Sequence, residues 1–147
     1  MKRIFAILIC MPIFFMSCGN SPSKEDLKKA LVEAEKDWKT NKGIGNVSDI
    51  TLGKLDQTLV KEGEQLFKTK CLSCHRSTSK RLIGPGLSKV LDRRTPEWTM
   101  NMIMKPQKMT KEDPIGKALL SIYKSPMLDM NIKEKEARKI LEYLRTI

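Results

Sequence analysis

Apolar positions recur at helical spacing in several separate stretches, and no stretch alternates with period two for more than a few residues. Leu27, Ala30, Leu31, Ala34 and Trp38 put one apolar stripe on a helix from Lys24 to about Thr40. Ser23 stands at its N-cap, and Glu25/Lys29 and Glu35/Lys39 are favourable i,i+4 pairs. Asn41 to Gln57 carries Gly43, Gly45, Gly53, Asn46 and Asp49 and reads as a linker. A second helix is expected from Leu59 to Lys70, delivering Cys71, followed by a turn at Gly84-Pro85-Gly86. A short helix over Leu87–Leu91 comes next. Thr95-Pro96 opens a helix to about Met104 and Asp113-Pro114 one to about Tyr123, each with Pro at the first helical position. The last helix runs from about Lys133 to Thr146, with Ala137, Ile140, Leu141 and Leu144 as its stripe. The pattern predicts an all-α fold: one domain over residues 58–147 behind a helical extension.

The first 17 residues stand apart. Met1-Lys2-Arg3 is followed by an apolar run from Ile4 to Met16, interrupted by Pro12 and too short to span a bilayer comfortably. A basic start, an apolar stretch and then Ser17-Cys18-Gly19 read as a secretory signal peptide over residues 1–17. The junction resembles a bacterial lipoprotein cleavage site, which implies that Cys18 becomes a lipidated N-terminus. Ordinary cleavage with Cys18 left as a thiol, or an uncleaved anchor, are the alternatives. Residues 18–57 then serve as a lipid-anchor tether, and the working protein lies outside the cytoplasm, membrane-anchored and facing the periplasm. Export removes nucleic acid from the list of partners.

Composition narrows the chemistry. The 147 residues carry a formal charge of +11, with four cysteines and a single histidine. One imidazole cannot build a multi-histidine site, which excludes most zinc enzymes. Cys71-Leu72-Ser73-Cys74-His75 has the C-x-x-C-H spacing of c-type haem attachment. Two thiols about one helical turn apart reach the two vinyl groups on one porphyrin edge, and the next residue brings its imidazole under the ring. A zinc ribbon needs a second ligand pair, and only Cys18 remains in the mature chain. A thioredoxin-like C-x-x-C needs a βαβ context that is absent here. A structural disulfide is the third rival.

From this motif on, residues 59–147 resemble the class I mono-haem cytochromes c. Gly63-Glu64-Gln65-Leu66-Phe67 stands ahead of Cys71, and Ile140-Leu141-Glu142-Tyr143-Leu144 stands in the last helix. The resemblance implies that Gly63 lets the first and last helices of that fold cross closely, with Phe67 in the contact. It implies one covalent haem c on Cys71 and Cys74 and an iron bond from His75. It also implies that the Pro85 carbonyl accepts the His75 Nδ1–H, fixing the tautomer. The second axial ligand implied is a methionine before the final helix. Met127 fits that order, with Met130 and then Met109, on a loop after Pro106, as alternatives. Lys133 departs from the threonine that often caps this helix, leaving Asn131 as a possible cap. Met100, Met102 and Met104 supply soft ligands that could hold copper, but Met100 and Met104 share a helix face that Met102 does not, so core packing is the better use.

Charge points to partners. Cleavage after residue 17 removes two positive charges and leaves +9. The segment Cys71–Lys111 holds nine basic residues, Arg93 and Arg94 among them, against Asp92 and Glu97. A cationic rim around a haem edge steers acidic redox proteins, a membrane donor and a periplasmic acceptor; general solubility and attraction to anionic lipid are the plain alternatives. With both axial positions filled, iron has no open site for a small-molecule substrate, so the expectation is an electron carrier and not an enzyme. A linker of about 17 residues would let it swing over roughly 20–25 Å between partners. Arg93-Arg94-Thr95-Pro96-Glu97-Trp98, Asn101-Met102-Ile103, Met109 and Asp113-Pro114 resemble the mono-haem cytochromes that accompany nitrous oxide reductase, implying a copper reductase as acceptor. The rivals are a haem-based sensor with a displaceable methionine and a subunit docked permanently in a respiratory complex.

Overall fold

The structure is a computed structural model of the chain and describes residues 22–147. The expected signal segment and Cys18 lie outside the described residues. Six α-helices and no strands are present among them: α1 Lys24–Ala34, α2 Gln57–Lys70, α3 Pro96–Met104, α4 Pro106–Glu112, α5 Pro114–Tyr123 and α6 Glu134–Leu144. None is long and apolar enough to cross a membrane.

The helices start where capping chemistry puts them. Ser23 Oγ accepts from the Asp26 N–H and the Asp26 carboxylate accepts in return. The side chains of Asp56, Thr95 and Asp113 accept from first-turn N–H groups of α2, α3 and α5 without the reciprocal bond, the last two helices having Pro in the first turn. The start of α6 differs from the Asn131 alternative. Lys133 is the N-cap residue, its N–H bonded to the Glu136 carboxylate at 2.9 Å, while Asn131 holds a left-handed φ of 53° two residues earlier.

The main core forms where α2 crosses α6. A Cβ on Gly63 would collide with the Lys139 carbonyl, so only glycine permits this approach. Phe67 fills the crossing beside Tyr143, ring centroids 5.2 Å apart, and α3 adds Met100, Ile103 and Met104. A second cluster gathers Trp98, Met109 and Ile115 with Leu31, Ala34, Trp38 and Ile44 of the N-terminal extension.

Three local expectations need correction. Regular α1 ends at Ala34, because i→i+3 bonds such as Trp38 N–H to Glu35 O tighten residues 35–40 and turn Trp38 into the second cluster. Leu87–Leu91 is not a helix: Lys89 adopts a left-handed φ of 54°, and only a single 3₁₀ turn, Val90–Asp92, follows. Met109 is on helix α4, not on a loop.

The largest correction concerns Asn41–Gln57. Its first half is a strap fixed to α3, not a free linker. Asn101, wholly buried, donates to the Lys42 and Val47 carbonyls at 2.9 and 2.8 Å and accepts from the Val47 N–H. Thr95 Oγ1 donates to the Asn41 carbonyl, and Glu97 accepts from the Ile50 N–H. Glycine and polar residues read as a linker because they lack a packing pattern of their own; here their backbone is paired by side chains from elsewhere.

Candidate functional site

Cys71 caps the C-terminal end of α2, and the chain turns at once: the N–H groups of Cys74 and His75 both donate to the Cys71 carbonyl. The histidine-side loop is laced to this turn, Gly84 N–H to Cys74 O and Leu87 N–H to Arg76 O, each 2.9 Å. That lacing brings the Pro85 carbonyl to 2.9 Å from His75 Nδ1. A carbonyl can only accept, so the proton sits on Nδ1 and Nε2 keeps its lone pair. Gly84 packs against the imidazole, where a Cβ would overlap the ring.

A cavity of 290 Å³ opens between this turn and the other helices. Cys71, Cys74 and His75 form one part of its wall; Phe67, Val90, Ile103, Ile140 and Leu144 supply apolar surface from the main core. Trp98, Met102 and Leu119 supply another part and belong to, or pack on, the second cluster, so the N-terminal extension backs the cavity. Burial holds His75 below its ordinary pKa, partly offset by the bond to Pro85, and keeps the imidazole neutral at neutral pH. Burial likewise pushes the Cys71 thiol up to about 11, with Cys74 adding to it.

Three thioethers line the cavity, Met102, Met127 and Met130. Met127 is half-buried and Met130 is 37% exposed. Met109 is not among them: it is wholly buried against Gly43 and the Ile44 N–H. The three α3 methionines divide as helix geometry requires, Met100 and Met104 in the main core and Met102 toward the cavity and the second cluster.

Donor chemistry and shape together fit a c-type haem. Two free thiols, a tautomer-fixed imidazole and thioethers surround one largely apolar space. Among the described residues, Cys71, Cys74 and His75 do not converge into a three-ligand metal site, which disfavours the zinc reading.

Two residues counted with the cationic rim belong to the cavity. Arg94 is 4% exposed, pairs with Glu35 and lies over the Trp98 ring, 5.2 Å from its centroid. Arg93 is half-buried, its guanidinium donating to the Gly86, Ser88 and Lys89 carbonyls. Arg76, Lys80, Arg81, Lys89, Lys105, Lys108 and Lys111 are exposed, so the surface of this segment stays cationic. Asn101, Glu97 and Asp113 hold the strap from positions that nothing in their local sequence marks for that role. Asp113 accepts from Trp98 Nε1, Asn41 Nδ2 and the Gly116 N–H, and its Asp-Pro signal marked only the helix start.

Residues 60–147 match the family model described as Cytochrome c. The chain is also similar to a solved structure of cytochrome c from Rhodothermus marinus, 38% identical with a TM-score of 0.67, covering 82% of this chain and 96% of that one. An engineered cytochrome c from the same organism is 37% identical with a TM-score of 0.66 over the same shares. Another engineered form, bound to a carbene intermediate, is 37% identical with a TM-score of 0.64. No curated protein matches. The shared 82% amounts to about 120 residues, more than residues 60–147 alone, so the likeness takes in part of the extension.

Proposed function

The chain belongs to the cytochrome c family, and from that premise we propose that it is a single-electron carrier working outside the cytoplasm, with haem c attached through Cys71 and Cys74 and iron bound by His75 and Met127. Bound there, haem c supplies a one-electron Fe(III)/Fe(II) couple. The chain's own residues set the conditions for it. The Pro85 carbonyl holds the His75 proton on Nδ1, which aims Nε2 and makes the imidazole a better donor. Phe67, Ile140 and Leu144 exclude water, and a thioether favours the reduced state relative to a second histidine. The observation that carries the reading is the convergence of the Pro85-bonded His75, both cysteines and Met127 on one apolar cavity.

The finer elements of the proposal are a lipid on Cys18, a periplasm-facing membrane location, acidic redox partners and a copper reductase as acceptor. Exposed Arg76, Lys80 and Arg81 beside the motif support an acidic partner. With His75 and Met127 both bound to iron, no coordination position would remain for a substrate. A second reading, a ligand sensor with a displaceable methionine, has one observation in its favour. Among the described residues, the only hydrogen bond donated within 125–132 is Asn131 N–H to Asp129, so the Met127 loop is lightly held.

Visible spectra of the holoprotein and of Met127→Ala test the proposal. The wild type is expected to show sharp low-spin bands when reduced and a Met–Fe(III) charge-transfer band that is lost in Met127→Ala and kept in Met130→Ala. A band kept in Met127→Ala moves the ligand to another thioether, and carbon monoxide binding to reduced wild type at neutral pH favours the sensor.

A further inference from the structure

The wall of this largely apolar cavity carries three cationic side chains, the exposed Lys70 and two arginines. Arg93 and Arg94 both line it, and Arg94 is nearly sealed from solvent. Among the described residues one carboxylate makes an ion pair with either of them, and it comes from outside the domain: Glu35, at the end of α1, 59 positions earlier in the chain. The remaining Arg94 contacts are the Arg93 carbonyl and the Trp98 face, neither of which carries a compensating charge. Glu35 does not line the cavity and is itself partly exposed, so whatever it does there it does through Arg94.

We propose that Glu35 of the N-terminal extension is a positioning residue of the redox centre: by balancing the Arg94 cation in the cavity wall it holds the haem reduction potential down. The inference rests on the haem reading given above. Oxidised iron carries one more positive charge than reduced iron, so an unbalanced cation in the cavity wall disfavours the oxidised form. In a buried wall this effect is weakly screened. Neutralising Glu35 therefore raises the potential, and neutralising Arg94, which leaves the Glu35 charge behind, lowers it. The reaction read is the uptake of one electron per haem from a dye mediator, with no bond in the chain made or broken.

The test is a spectroelectrochemical titration of the full-length holoprotein and its Glu35→Gln, Glu35→Asp and Arg94→Gln variants. At a fixed ambient potential, Glu35→Gln is expected to raise the reduced-to-oxidised ratio at least threefold, a shift of about 28 mV for a one-electron couple. Glu35→Asp keeps the charge and stays near wild type, and Arg94→Gln moves the ratio the other way. High salt leaves the Glu35→Gln shift largely in place. An unchanged potential in Glu35→Gln overturns the proposal, as does an equal shift in Glu35→Asp, which would mark a steric role. Should Arg94→Gln fail to fold, the Gln/Asp contrast at the partly exposed Glu35 decides alone. Failure of the haem reading looks different: wild type itself would lack the low-spin spectrum.

Discussion

Asn101 shows how much one buried side chain can organise. Its amide makes three hydrogen bonds to the backbone of the strap, two donated and one accepted, with no exposure to water. Replacing it by leucine keeps much of the volume but leaves the Lys42 and Val47 carbonyls and the Val47 N–H short of partners inside the protein. Each orphaned group costs about 1–3 kcal/mol, so Asn101→Leu is expected to lose about 3 kcal/mol or more. A urea titration of the holoprotein followed by far-UV circular dichroism reads this directly. A midpoint within error of wild type would mean that the strap is not held as described. At this scale the sequence is legible where chemistry and partner are close together. The C-x-x-C-H pentapeptide is self-contained, and the carbonyl bonded to His75 lies only ten positions on. Asn101 sits amid three methionines with partners more than fifty positions away, and nothing local marks it. Arg93 and Arg94 look like any basic pair in a charged segment; only their burial separates them from the solvated lysines.

Among elements, the cap-bearing helices were readable because Thr95-Pro96 and Asp113-Pro114 encode their own starts. The extension was not readable, because its role depends on what it covers. Leu31, Ala34, Trp38 and Ile44 close the cluster around Trp98 and Ile115, and α1 packs on α5. A tether would be dispensable to the domain, whereas a structural layer is not. Removing residues 22–50 exposes Trp98, Met109 and Ile115 and deprives Arg94 of its carboxylate. Burying each large apolar side chain is worth about 1.5–3 kcal/mol, and several are affected together. The shortened holoprotein is therefore expected to unfold well below wild type, with weaker near-UV ellipticity from Trp98. Equal melting temperatures for the two chains would restore the tether.

For the whole molecule, packing of the extension shortens the leash. Between Cys18 and the Ser23 cap of α1 there are five peptide steps, which span no more than about 18 Å even when fully extended. If Cys18 carries lipid, the domain is therefore held against the membrane surface, without the further swing of roughly 20–25 Å that a free Asn41–Gln57 linker would add. Close tethering raises the effective concentration of the domain at membrane partners and limits its access to distant ones. Inserting about twenty Gly/Ser residues between Gly19 and Ser23 adds roughly 25 Å of flexible reach without touching α1. Effective concentration falls steeply with tether length, so electron flux from a membrane-bound donor is expected to drop several-fold while the visible spectrum and reduction potential stay as in wild type. Cys18→Ser serves as the reference, and it should move the protein from the membrane to the soluble fraction after cell lysis. Flux that is indifferent to the insertion, in a protein that still fractionates with membranes, would place the donor out of the anchored domain's immediate reach and give the cationic face of Arg76, Lys80 and Arg81 the larger part in finding it.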